Sequence, residues 1–144
     1  MRTALATAVL CAAMIVGPAA PASAEEFRCA RTVGARTLDN VRVPDGRTCK
    51  LEGSVVKGTI NVGTGATLIA DGARVAGNVQ AESARRVVVR DGRVGGSMQI
   101  VQGRRAALRR NRVDGNLQCK ENSPRPTGGG NVVEGSKEDQ CRRL

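Results

Sequence analysis

The chain has 144 residues, room for a single domain, and a formal net charge of +10. It contains no His, Trp or Tyr, and Phe27 is its only aromatic residue. A His general base, a His-containing metal site and a Ser-His-Asp triad are therefore excluded, and aromatic platforms for stacking sugars or single-stranded bases are missing.

Residues 1–24 have the pattern of a secretory signal. Arg2 supplies the charged start, residues 4–16 form an apolar run, and Ala22-Ser23-Ala24 is a small-residue cleavage site. Cys11 does not read as a lipid-attachment cysteine, because Leu10 stands where a small residue is needed. No second apolar run is long enough to span a bilayer. The expectation is a secreted, extracellular chain beginning at Glu25, with the loss of Arg2 lowering the charge from +10 to +9.

Residues 25–38 are expected to form an N-terminal cap. From 39 to 134 the chain repeats. The glycines closing each "V-x-G" are Gly58, Gly77, Gly96, Gly115 and Gly135, at intervals of 19, 19, 19 and 20, and one period back lies Asp39. Two places after each anchor stand Val41, Ile60, Val79, Met98 and Leu117; four places after stand Val43, Val62, Ala81, Ile100 and Cys119. Val56, Val75, Val94, Val113 and Val133 precede the anchors, and the middle pairs are Cys49/Leu51, Leu68/Ala70, Val87/Val89 and Ala106/Leu108. Spacing by two within a unit is the strand period, and spacing by 19 between units stacks equivalent residues. No segment has helical periodicity. The pattern predicts an all-β parallel β-helix of about five 19-residue rungs, with glycine at corners where positive φ is needed. A leucine-rich repeat lacks its leucine pattern here, and an antiparallel sandwich needs no fixed period.

Several outward columns are candidates for chemistry. Asn61, Gln80, Gln99 and Gln118 form an amide ladder that can bond along the stack. Thr59, Asn78, Ser97 and Asn116 follow the anchors and are expected to secure the corners through local backbone. Residues 85–112 hold nine arginines against one acid, Asp91. With Arg74 the set is Arg74, Arg85, Arg86, Arg90, Arg93, Arg104, Arg105, Arg109, Arg110 and Arg112. The period places Arg74, Arg93 and Arg112 in one column, Arg90 and Arg109 in another, and Arg85 and Arg104 in a third. Like charges at rung spacing repel, so either a polyanion screens them or they serve as a solvated, solubilising face. Carboxylate catalysis is disfavoured: Glu52 and Asp71 share a column that Arg90 and Arg109 continue, and short loops leave no cleft. No catalytic residue, metal site or cofactor is expected.

Residues 135–144 read as a C-terminal cap, because Lys137 and Asp139 stand where another rung needs apolar residues. The four cysteines beyond the signal have one pairing that spans about a rung each, Cys29–Cys49 and Cys119–Cys141, at separations of 20 and 22. Each bridge would staple a cap onto one end, outside the reducing cytosol.

"GARVAGNVQA" at 72–81 and "VVVRDGRVGGSMQ" at 87–99 resemble the repeats of the bactofilins, bacterial polymer-forming β-helix proteins. "GNLQCKENSP" at 115–124 and "GGGNVVEG" at 128–135 are similar to small secreted bacterial β-helix proteins of unassigned function. The resemblance covers roughly residues 39–141 and implies a right-handed helix. The expectation is a non-catalytic structural or binding module of the bacterial envelope or extracellular space, whose arginine face takes an anionic cell-wall polymer or acidic polysaccharide. Sequence-specific nucleic-acid binding is not expected. The alternatives are a self-associating, bactofilin-like scaffold and a minimal polysaccharide-acting enzyme.

Overall fold

A computed structural model describes Gly17, Pro18 and residues 24–144, so nearly all of the signal segment lies outside the described residues. The chain winds as a parallel β-solenoid of three sheets, with about six turns rather than about five. The first sheet holds seven strands: Glu26–Arg28, Asn40–Val43, Ile60–Val62, Val79–Glu82, Met98–Val101, Leu117–Lys120 and Lys137–Asp139. The second holds Thr32–Val33, Thr48–Glu52, Thr67–Asp71, Arg86–Arg90, Ala106–Arg109 and Thr127–Gly129. The third holds six two-residue strands, Thr37–Leu38, Val55–Val56, Arg74–Val75, Arg93–Val94, Arg112–Val113 and Val132–Val133. The segments expected as caps are thus wound into the stack themselves, and this accounts for the extra turn. No helix among the described residues is long and apolar enough to cross a membrane.

Strand alternation puts one side chain in, the next out, and the register stacks the inward ones from turn to turn. Val79 sits between Ile60 and Met98, Val87 between Leu68 and Ala106, and Val94 between Val75 and Val113. These columns meet in one buried core, in which Leu51, Ile60, Leu68, Met98, Ile100, Leu108 and Leu117 are the largest side chains without exposure. Both expected disulfides form, with Cα–Cα distances of 5.3 Å for Cys29–Cys49 and 5.2 Å for Cys119–Cys141. At the far end, Lys137 Nζ donates to the Leu144 carbonyl, and Leu144 turns in to close the core.

The corners differ from expectation in an instructive way. None of the anchor glycines has positive φ. They are needed because the chain folds flush against the previous turn. A Cβ on Gly77 would lie 2.6 Å from Gly58 O, and one on Gly115 or Gly135 would lie 2.7 Å from the carbonyl oxygen of the anchor before it. Apart from Gly128, Gly129 and Asp139 in the last strands, the positive-φ residues occupy the other two corners: Gly53, Gly72, Asp91, Arg110 and Gly130 at one, Gly46, Gly65, Ser83, Gln102 and Glu121 at the other.

Polar ladders tie the turns together. Asn40 Oδ1 accepts from Thr59 N–H at 3.0 Å, Thr59 Oγ1 from Asn78 N–H at 3.3 Å, and Asn78 Oδ1 from Ser97 N–H at 2.8 Å. Ser97 Oγ and Asn116 Oδ1 continue the line to Ser136 N–H. These side chains therefore bond to the next turn and not to their local backbone, because the glycines before Thr59, Asn78, Ser97 and Asn116 let adjacent corners stack closely. The outer amides Asn61, Gln80, Gln99 and Gln118 stand in register but make no side-chain hydrogen bond with one another.

Candidate anion-binding face

Each arginine is placed by the same winding that builds the core. Arg86 opens a second-sheet strand and Arg90 closes it, so both point outward while Val87 and Val89 point in. The register puts Arg90 beside Arg109, and Arg93 between Arg74 and Arg112, as the period requires. Arg85 and Arg104 lie in the corner between the first and second sheets, with Arg105 just before the next strand. Arg110 occupies the opposite corner at φ 51°. The ten residues therefore form two ridges flanking the second sheet, plus a column on the third.

The charge on these ridges is uneven. Four of the arginines have acidic partners drawn from neighbouring turns. Arg90 Nη2 reaches Asp71 Oδ2 at 3.0 Å, and Arg110 grips Asp91 with Nε and Nη2 at 2.7 and 2.8 Å. Asp114 stands between Arg93, at 3.3 Å, and Arg112, at 3.6 Å, and Arg112 also bonds Glu134. The hydrogen bonds from Arg110 hold the Asp91 carboxyl below the usual carboxylate range; desolvation opposes them, and the charges of Arg110 and Arg90 add to them. The same pairing raises the Arg110 guanidinium. The repulsion expected along these columns is thus relieved within the protein itself.

Among the described residues, Arg74, Arg85, Arg86, Arg104, Arg105 and Arg109 make no ion pair. Four of them, Arg85, Arg86, Arg104 and Arg105, crowd one corner beside a trough floored by Thr48, Thr67 and Ile69. Sequence reasoning missed a fifth member. Arg125 shares a recess with Arg86 and Arg105. The signal was the single 20-residue interval, between Gly115 and Gly135, which marks an inserted residue. The carboxylates do not gather: Asp71 is held by Arg90, and Asp45 accepts from Thr64 N–H at a different corner. Among the described residues no group of three or more His, Cys, Asp or Glu could hold a metal ion.

No family model matches the chain, and comparison with curated proteins and with solved structures finds no match. The solenoid itself is what stands behind any likeness.

Proposed function

We propose that the chain is a non-catalytic, secreted structural or binding module of the bacterial envelope or extracellular space that retains anionic polymers on its arginine corner. The observation that carries this reading is the division of the arginines. Arg90, Arg93, Arg110 and Arg112, on and beside the third sheet, are paired with carboxylates from neighbouring turns, whereas Arg85, Arg86, Arg104 and Arg105 are left bare together at one corner on adjacent turns. A merely solubilising face has no need to concentrate unpaired charge, and guanidinium forks match phosphate and carboxylate oxygens. Two disulfides fit a compartment outside the reducing cytosol. The pairing of Asp71 with Arg90 weighs against carboxylate catalysis.

The test is retention on isolated cell wall or on a heparin-like matrix. Binding should weaken steeply with salt. Changing Arg85, Arg86, Arg104 and Arg105 to Gln should lower the eluting salt more than the same change at Arg90, Arg93, Arg109 and Arg112. Unchanged elution for both quadruple variants sinks the reading.

A bactofilin-like scaffold is the second reading. It is favoured by the end strands Glu26–Arg28, Thr127–Gly129 and Val132–Val133, which have no strand beyond them among the described residues. Filaments in electron micrographs, more readily after reduction, are its expected outcome. A strictly monomeric chain in both redox states rejects it.

A further inference from the structure

The inserted residue lies at the arginine corner. Asn122 sits 19 residues beyond Gly103, whose N–H its Oδ1 accepts at 2.8 Å, yet Thr127 pairs with Ala107 across 20 residues. The extra length therefore falls in residues 123–126. It pushes Pro124 and Arg125 outward over the second sheet, where they enclose a recess of about 300 Å³ with Arg86, Arg105, Val88 and Ala107. The wall is fixed at both ends. Asn122 is buried, donates to Ile100 O at 2.8 Å and bonds Gln140, and Pro126 is buried as well. A preset wall spares a ligand the cost of ordering it.

Three features define what fits. First, the recess carries three guanidinium groups and no carboxylate. A carboxylate offers two oxygens, whereas a terminal phosphate offers three and about −1.5 to −2 charges at neutral pH. Second, Val88 points outward yet is only 8% exposed, so it joins Ala107 and Pro124 in an apolar wall suited to C–H groups. Third, the volume is at the small end of the about 300–1,000 Å³ typical of ligand sites, and there is no aromatic to stack a base.

We infer that this recess is a subsite for a phosphate group esterified to a short polyol, of the glycerol phosphate type. The inference rests on the anion-binding reading above and names the group that the corner takes. Two sources share this chemistry, the phosphomonoester end of a polyol-phosphate polymer and a phosphatidic acid headgroup.

The probe is glycerol 3-phosphate, titrated into the disulfide-bonded protein and followed by methyl NMR. Saturable shifts are expected at Val88, Ala106, Ala107 and Thr127. Arg105→Gln with Arg125→Gln should weaken binding by about tenfold or more, since each removes a charged hydrogen-bond donor. Arg74→Gln, on the third sheet, should leave binding unchanged, and so should glutarate as a competitor. Arg125→Gln alone, in a surface segment, guards against loss of fold and should weaken binding by itself. Absence of saturable shifts, or equal losses in Arg74→Gln, overturns the subsite. Sedimentation with phosphatidic acid vesicles separates the sources: release by free glycerol phosphate assigns the headgroup, and absence of vesicle binding with the methyl shifts intact assigns the polymer end. Vesicle binding that glycerol phosphate does not release overturns the subsite. If salt-sensitive retention on polyanion persists without these shifts, the face binds anions but the recess does not. If the shifts persist without retention, the recess stands and the broader face falls.

Discussion

Gly96 shows how a residue without a side chain holds turns together. A Cβ there would sit 2.8 Å from Gly77 O and 2.2 Å from Asn78 Oδ1, and both atoms belong to bonds that link the turns. Gly96→Ala must push the corners apart. It should lower stability by about 1–3 kcal/mol, the usual cost of forcing an extra carbon into a packed site. A shift of the urea midpoint at constant slope checks it; an unchanged midpoint contradicts it. The position of this glycine was plain in the sequence, because the anchors recur at 19. Its reason was not. Periodicity records that a small residue returns, but does not separate positive φ from close approach. Asp91 and Arg110 adopt the left-handed conformation instead, and neither residue type advertises it. The ion pair between them was equally hidden, since it joins residues of one corner column through side-chain reach.

At the scale of the strand and corner, the elements are too short to stand alone. A two-residue strand such as Arg93–Val94 exists because Arg74–Val75 and Arg112–Val113 flank it. The inward columns were legible from alternation, and each landed in the core. Corner asparagines inside the prism were not legible. Asn111 accepts from Gly92 N–H at 3.0 Å, donates to Val89 O at 2.8 Å, and binds Asn131 through both its backbone N–H and its amide. Asparagine in a glycine-rich stretch reads as a surface turn, yet this one is 2% exposed. Asn111→Ala leaves several buried groups without partners and should cost at least about 2 kcal/mol, because each unsatisfied group costs about 1–3 kcal/mol. Faster amide exchange at Gly92 is the local readout. Asn116→Ala, at an exposed corner, should cost less.

Across the whole molecule, each turn touches mainly the turns beside it, so stability is local and the ends are the weak points. The two disulfides sit there, joining the first turn to the second and the last to the one before. Replacing Cys119 and Cys141 with Ala should lower stability by about 2–4 kcal/mol. Exchange protection should be lost first in residues 137–144, with the middle turns retained. Uniform loss of protection along the chain contradicts this. Their pairing was readable in the sequence because the separations of 20 and 22 each match about one turn. The balance of charge on the face was not. Glu134 meets Arg112 across 22 residues and Asp114 meets Arg93 across 21, so these two acids arrive off the column register that sets Asp71 beside Arg90 and Asp91 beside Arg110. Counting arginines along the chain therefore overstated the bare charge on one side of the prism and overlooked Arg125 on the other.

The glycine column also sets how such a chain can change in length. A gain or loss of chain between two anchors moves every downstream residue by one whole period. Inner residues stay inner, and each bridge still joins adjacent turns. A length change inside a strand would rotate the following columns out of place, whereas a corner absorbs one, as residues 123–126 do. A copy of residues 77–95 would carry Arg85, Arg86, Arg90 and Arg93 with only Glu82 and Asp91 against them. Reach and charge are therefore inherited together, one turn at a time, and the number of copies serves as the molecule's dial for both.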